Sequence, residues 1–168
     1  MKMTGSKQIA ASREKVWHAI IAAEVLQVCV PGCQEMTGSA QEGFNATVVQ
    51  KVGPVKATFK GQVTVSDMIE GQSLKITGEG KGGAAGFAKG RATVFLADAD
   101  GTTTLTYEVE AKVGGKLAQL GSRIIDGFAK KMADQFFERF RDAIEKPETT
   151  AEENTTEPKK GWLKKLTG

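Results

Sequence analysis

The pattern of apolar and polar positions predicts one strand and two short helices at the start of the chain. Residues 3–9 are expected to form the strand, and Ser12 has the hydroxyl side chain of a helix N-cap. Behind it, apolar residues recur on one face at helical spacing: Val16, Ala19, Ile20 and Ala23. A second short helix is predicted over residues 24–28, and the dipeptide Pro31-Gly32 ends it.

Between residues 33 and 114 the period of the pattern changes from helical to alternating. Apolar, often β-branched positions alternate with polar ones over five segments: 44–50, 55–65, 74–77, 92–96 and 105–113. Glycine, proline, aspartate and glutamine separate them in short connections: 41–43, 53–54, 70–72 and 98–101. Short connections between alternating strands predict an antiparallel sheet with one dry face and one wet face.

One long amphipathic helix is predicted over residues 116–145. Its apolar positions follow one another in steps of three or four: Leu117, Leu120, Ile124, Phe128, Met132, Phe136, Phe140 and Ile144. At about 1.5 Å per residue, such a helix is about 45 Å long, which exceeds a typical strand. Because no other segment offers as much apolar surface, we expect this helix to cover the dry face of the sheet.

These elements predict an α+β fold in which a curved antiparallel sheet wraps around a long C-terminal helix, with two short helices after the first strand. The chain has 168 residues, enough for one domain, which we place at residues 1–146. The net charge of +3 and the interspersed lysines and acids argue against nucleic-acid binding. Neither a membrane span nor a secretory signal is recognisable, so we expect a cytoplasmic protein.

The last residues differ in composition from the domain. Residues 147–157 are polar, rich in threonine and acids, and are expected to form a disordered linker. Residues 158–168 form a basic amphipathic tail, for which we favour contact with a membrane surface over a purely solubilising role. Partner docking is the other function that this composition allows. The predicted membrane-binding residues are Lys159, Lys160, Trp162, Leu163, Lys164, Lys165 and Leu166.

Several motifs in this order make the chain resemble the carbon monoxide dehydrogenase G-subunit family, within the START-like (SRPBCC, helix-grip) superfamily. They cover residues 3–145 and comprise Val16-Trp17, Val30-Pro31-Gly32-Cys33, residues 52–61, Gly78-Glu79-Gly80, residues 114–123 and residues 133–137. The resemblance implies a helix-grip fold with a hydrophobic internal pocket. It also implies a non-enzymatic accessory factor that helps to recruit or mature a molybdenum hydroxylase, such as carbon monoxide dehydrogenase, at the inner membrane face.

Strand parity and the helix stripe indicate which side chains would line such a pocket. The expected ligand is apolar, quinone-like or lipid-like, and no other cofactor is expected. Gln50 and Tyr107 are the polar groups predicted to point inward, each toward either a protein partner or the polar end of a ligand. The alternative is an interaction module with a completely filled core. The predicted cavity residues are Val48, Gln50, Phe59, Val63, Phe87, Leu105, Tyr107, Val109, Leu117, Leu120, Ile124, Phe128 and Met132.

Catalytic and metal-binding residues are not predicted. Cys29 and Cys33 have no further ligands nearby, so two free thiols are favoured over a metal site, with a redox pair as the lesser alternative. His18 is expected at the wet edge of the first helix. An aromatase- or cyclase-type enzyme of the same superfamily would need more polar groups inside than the pattern offers. The glycine-rich region 78–90 is interpreted as a flexible loop at the cavity mouth, with Phe87 as a lid.

Overall fold

A computed structural model describes residues 1–145 of the chain, so the predicted linker and tail lie outside the described residues. Seven strands form a single antiparallel sheet in the order β1-β7-β6-β5-β4-β3-β2. The three α-helices are α1 (Arg13–Ile20), α2 (Ala23–Cys29) and α3 (Ser122–Glu145), and short 3-10 helices occupy Gly83–Ala85 and Gly115–Leu120. The strands are β1 (Lys2–Ile9), β2 (Cys33–Ser39), β3 (Gly43–Val52), β4 (Val55–Ile69), β5 (Ser73–Lys81), β6 (Phe87–Ala99) and β7 (Thr102–Gly114).

The predicted α+β helix-grip fold is confirmed. Consecutive strands from β2 to β7 pair with one another. Strand β1 pairs with β7 and forms the edge of the sheet opposite β2. The turns fall at the expected places, because Gly53, Asp100 and Gly101 have the positive φ angles that tight hairpins require. Ser12 caps α1: its Oγ accepts a hydrogen bond of 3.2 Å from the Lys15 backbone N–H.

The hydrophobic core lies between the concave face of the sheet and the helices. Alternate residues of the central strands point into it, as the period-2 pattern predicts. Side chains from α1 and from the last turns of α3 complete it. Its most buried members include Leu74, Val94, Leu96 and Leu105 from the sheet, Val16, Trp17 and Ile20 from α1, and Phe137, Phe140 and Ile144 from α3.

The long helix begins later than the sequence pattern predicts. Residues Gly115–Leu120 form a 3-10 helix, and Gly121 then adopts a φ of +89°, which breaks the helical path before α3 starts at Ser122. A positive φ is easily reached only by glycine, so Gly121 is the residue that permits this break. Helix α3 therefore has 24 residues and measures about 36 Å, whereas the sequence pattern predicts a helix over residues 116–145.

The burial of α3 is concentrated in its C-terminal half. Phe137, Phe140 and Ile144 are buried, whereas Ile124 near the start of the helix is 41% exposed. Phe137 precedes the predicted stripe position Phe140 by three residues, so the buried face is slightly rotated from the predicted one. The N-terminal half of α3 lies near the β3–β4 turn, where the Gly53 position approaches the Ile124 side chain.

The glycine-rich region 78–90 is mostly strand, which corrects its interpretation as a flexible loop. Gly78 and Gly80 belong to β5, and Gly90 belongs to β6 and pairs with Gly78. Only the short connection around the 3-10 helix Gly83–Ala85 is not sheet. Phe87 is the first residue of β6 and lies beside Gly114 of β7, with the Lys89 ammonium 5.7 Å from the centre of its ring. Phe87 is not among the residues that border the apolar hollow under α3.

Candidate functional site

An apolar cavity of about 260 Å³ lies between the concave face of the sheet and α3. Every strand and every α-helix contributes to its wall. The sheet provides Met3, Met36, Phe44, Val63, Val65, Leu74, Ile76, Ala92, Val94, Tyr107 and Val109, and the helices with the segment after α2 provide Ile20, Ile21, Leu26, Val30, Ala133, Phe136 and Phe137. Well-packed interiors contain few voids larger than a water molecule, so a hollow of this size is unusual for a core alone.

Aromatic rings form the side of the cavity that α3 provides. Tyr107 stacks on Phe137 with ring centres 5.1 Å apart and planes inclined by 17°. Phe136 meets Phe137 edge to face at 5.0 Å and lies parallel to Phe140 at 5.8 Å. Such contacts fix ring orientations beyond what area burial alone achieves. The rings of Tyr107, Phe136 and Phe137 therefore pack against one another in this part of the cavity wall.

Tyr107 is the only cavity-lining side chain with a hydrogen-bonding hydroxyl. It is 7% exposed, and within residues 1–145 its hydroxyl makes no hydrogen bond with another protein group. Burial raises the pKa of Tyr107 above its usual value of 10.0, the Asp134 charge raises it further, and Lys130 partly offsets this. The phenol is accordingly protonated at neutral pH and is a hydrogen-bond donor.

A polar groove of about 350 Å³ adjoins the cavity between the edge strand β1 and α3. Asp134 of α3 lines this groove, with its carboxylate 3.5 Å from the Lys7 ammonium and 3.1 Å from the Lys130 ammonium. The hydrogen bond from Lys130 lowers the pKa of Asp134, and the Lys7 charge acts in the same direction. Two ammonium groups share one ionised carboxylate, so the pairing cancels only part of the positive charge in the groove.

The structure brings together only part of the predicted cavity set. Val63, Tyr107 and Val109 line the cavity. Leu105 is fully buried in the adjoining core. Gln50 lies elsewhere, because its side-chain amide donates a hydrogen bond to the Pro31 carbonyl.

The remaining predicted residues lie outside the cavity wall, on other parts of the sheet, in the 3-10 helix before α3, or on the first half of α3. Phe59 packs beneath Gly82, beside Val48 on the neighbouring strand. Leu120 and Ile124 approach the Gly53 turn. Leu117 is buried in its 3-10 helix, and Phe128 and Met132 are half-buried on α3. None of these side chains, nor Phe87, lies among the residues that border the cavity.

Sequence reasoning missed the wall that the first two helices and the first strands supply. Ile20, Ile21, Leu26 and Val30 close one end of the cavity, and Met3 and Met36 border it from β1 and β2. Strand parity did contain a signal for Phe44 and Val65, which alternate in phase with Val63. For the helical residues the only signal was their apolar character, since their position over the sheet depends on how α1 and α2 pack.

The cysteines are separate from the cavity. Cys29 is buried and Cys33 half-buried, both are free thiols, and burial raises the pKa of each. The Cys33 thiol donates to the Glu35 carbonyl at 3.3 Å. Among the described residues, no three His, Cys, Asp or Glu side chains are grouped closely enough to hold a metal ion.

A larger groove of about 650 Å³ crosses the outer face of the sheet. Its charged side chains pair with one another: Arg91 lies 3.0 Å from Glu110, and Lys89 lies 3.6 Å from Glu79. The hydrogen bond from Arg91 lowers the pKa of Glu110. These ion pairs are solvent-exposed, so the apolar cavity under α3 is the better candidate for ligand binding.

The sheet wrapped around α3 and the cavity between them define a helix-grip protein with the START-like fold. The chain belongs to the CoxG family, the G-subunit family of carbon monoxide dehydrogenase, whose model matches residues 5–145. This confirms the resemblance seen in the sequence. No helix in the described part of the chain is long and apolar enough to cross a membrane.

Solved structures show the same architecture. A conserved protein from Geobacillus kaustophilus is 27% identical, with a TM-score of 0.80, over 86% of this chain and 95% of that one. A Chromobacterium violaceum protein is 14% identical, with a TM-score of 0.66, over 87% and 98% of the two chains. A START superfamily protein from Mycobacterium smegmatis is 12% identical, with a TM-score of 0.61, over 86% and 97%. No curated protein matches the sequence of this chain.

Proposed function

We propose that this protein is a non-catalytic accessory factor that carries an apolar small molecule in its internal cavity. Membership of the CoxG family supports carbon monoxide dehydrogenase or a related molybdenum hydroxylase as the partner enzyme. The observation that carries the proposal is the apolar cavity under α3, to which all strands and α-helices contribute. The bound molecule is quinone-like or lipid-like, as the apolar wall favours.

The volume of the cavity limits how much of the ligand it encloses. A cavity of about 150 Å³ lined by aliphatic and aromatic side chains holds one benzene molecule. By that scale the 260 Å³ here accommodates about ten non-hydrogen atoms. A ring with a few substituents fits entirely, whereas a long isoprenoid or acyl chain must extend outside. Each buried CH₂ group contributes about 0.8 kcal/mol to binding.

The chemistry of the wall favours carriage over catalysis. General acid–base catalysis needs titratable groups placed against the reacting atoms. Among the described residues that line the cavity, Tyr107 is the single titratable group, and its raised pKa keeps it protonated. Placement of this carrier at the inner membrane face rests on the sequence of residues 158–168, and it remains a prediction.

Ligand carriage is tested by solvent extraction of the purified protein followed by mass spectrometry, and by titration with a short-chain quinone and an acyl analogue. The decisive variant is Ala133→Phe, because Ala133 borders the cavity and an added ring of about benzene size fills more than half of it. Ala143→Phe is the matched control, since Ala143 lies on the exposed face of the same helix.

We expect the wild type and Ala143→Phe to retain and bind the same molecule, and Ala133→Phe to lose it while staying folded. A wild-type protein that yields no extracted molecule and binds neither analogue contradicts the proposal. Association with the enzyme is measured separately, by co-elution with purified carbon monoxide dehydrogenase in size-exclusion chromatography.

A further inference from the structure

The apolar cavity and the polar groove meet at two residues. Met3 of β1 and Tyr107 of β7 are the residues that border both hollows. The Met3 side chain offers only a thioether sulfur, which is a weak acceptor, so the Tyr107 hydroxyl is the side-chain hydrogen-bond donor at this junction. The aromatic ring of Tyr107 belongs to the cavity wall, while strand β1 and the charged side chains of α3 lie on the other side.

Gly5 makes the position of this hydroxyl possible. Gly5 lies directly opposite Tyr107 in the β1–β7 pairing. A Cβ at Gly5 would lie only 2.4 Å from the Tyr107 hydroxyl oxygen, so any other residue would displace the phenol. The Tyr107 ring also stacks on the Phe137 ring, with the ring centres 5.1 Å apart. The hydroxyl is therefore held at a defined point between the hollow and the groove.

A held, buried donor without a protein partner indicates a ligand that accepts its hydrogen bond. Tyr107 is more than nine-tenths buried, and no group within residues 1–145 is bonded to its hydroxyl. Buried polar groups are nearly always hydrogen-bonded in native proteins. The acceptor lies against a hollow whose wall is apolar apart from Tyr107, where an anion would lose its hydration without compensation. A neutral acceptor such as a carbonyl oxygen fits better than an anion.

We propose that Tyr107 is the polar recognition residue of the cavity and that it donates a hydrogen bond to a neutral carbonyl oxygen of the bound molecule. The inference rests on the proposed function, since it requires a ligand in the cavity. It adds an orientation: the apolar part of the ligand lies under α3, and its carbonyl end lies at the β1–α3 groove. It also gives Tyr107 a specificity role, which separates carbonyl compounds from hydrocarbons of equal size.

The test compares two probes of nearly identical shape, acetophenone and cumene, by calorimetric titration of the full chain. Both are small enough for a cavity of this volume, and only acetophenone carries a carbonyl oxygen. The variant Tyr107→Phe removes the hydroxyl alone. Thr103→Val is the matched control on the same strand, because it removes a buried hydroxyl that bonds to the Ala11 carbonyl away from the cavity.

We expect Tyr107→Phe to weaken acetophenone binding about threefold to tenfold, as the loss of one hydrogen bond implies, and to leave cumene binding unchanged. Thr103→Val should leave the ratio of the two affinities at its wild-type value. Gly5→Ala should weaken the binding of both probes, because its Cβ displaces the Tyr107 ring together with the hydroxyl. An affinity ratio that Tyr107→Phe leaves unchanged, with both probes bound, overturns this inference alone. Failure of both probes to bind the wild type overturns the proposed function as well.

Discussion

Among single residues, Phe140 has the largest fully buried side chain of the described core. It stacks with Phe136 at 5.8 Å and lies edge to face with Phe137 at 6.4 Å. We expect Phe140→Ala to lower the free energy of unfolding by about 3–5 kcal/mol, because it removes buried apolar surface and leaves a cavity. Phe95→Ala is the control, since Phe95 is 43% exposed, and it should cost less than about 1 kcal/mol. Urea unfolding measures both, and equal losses would contradict this assignment of the core.

The buried thiol of Cys29 makes the free energy of unfolding decrease at alkaline pH. Burial raises the pKa of Cys29 above that of an unfolded cysteine, and Arg139 offsets this only partly. The unfolded chain therefore loses this proton at a lower pH than the folded protein. The resulting stabilisation is complete below the unfolded pKa and is lost as the pH rises through it and toward the higher folded value.

We accordingly expect the free energy of unfolding to decrease as the pH rises above about 8.5, the usual pKa of an unfolded cysteine. Cys29→Ala should flatten this decrease. Cys33→Ala, which removes a less buried thiol, should flatten it less. Urea unfolding midpoints over a pH series measure the effect, and a wild-type slope in Cys29→Ala would show that the thiol is not responsible.

At the level of elements, two glycines on either side of the α3 N-terminus respond oppositely to the same substitution. Gly121 has a φ of +89°, and Gly127 lies within α3; a Cβ at either position meets no atom within 4 Å. Gly121→Ala should destabilise the protein by about 1–2 kcal/mol, because alanine is strained at positive φ. Gly127→Ala should stabilise it by about 0.5–1 kcal/mol through helix propensity. Thermal unfolding of the two variants measures both effects. Shifts of the melting temperature with the same sign would contradict the break in the helical path at Gly121.

At the scale of the whole molecule, we predict that residues 158–168, which lie outside the described range, contact the membrane surface. The four lysines would each contribute about 1 kcal/mol near an anionic surface. Burial of Trp162, Leu163 and Leu166 adds at most roughly 1.5–3 kcal/mol per side chain. Ordering the backbone costs about 1–2 kcal/mol per residue, so we expect weak and reversible binding.

Co-sedimentation with anionic vesicles measures this binding. We expect the full chain to sediment at low salt, and Trp162→Ala/Leu163→Ala and a chain ending at Lys146 to remain in solution. Thr155→Ala/Thr156→Ala in the predicted linker is the matched control and should behave as the wild type. Equal sedimentation of all four proteins would remove the tail from the mechanism and leave partner docking as its role.

Local chemistry determined most of the fold. Alternating residues defined every strand except β2 (Cys33–Ser39), which the sequence did not predict. Ser12 marked the start of α1, and Gly53 and Gly101 marked hairpin turns. These features depend on residues close together in the chain, where backbone preferences and hydrogen bonds act over a few positions. The family was likewise evident from short motifs in a fixed order, and its model matches residues 5–145.

The cavity, by contrast, was decided by tertiary packing. Ile20 and Leu26 reach it only because α1 and α2 pack over the sheet. Leu120 and Ile124 miss it because they lie at the Gly53 turn, whereas α3 borders the cavity with residues 133–137. The junction of Gly5 with Tyr107 depends on a strand pairing between distant parts of the chain. Periodicity states which face of an element is apolar, but contacts between elements set which apolar residues enclose a space.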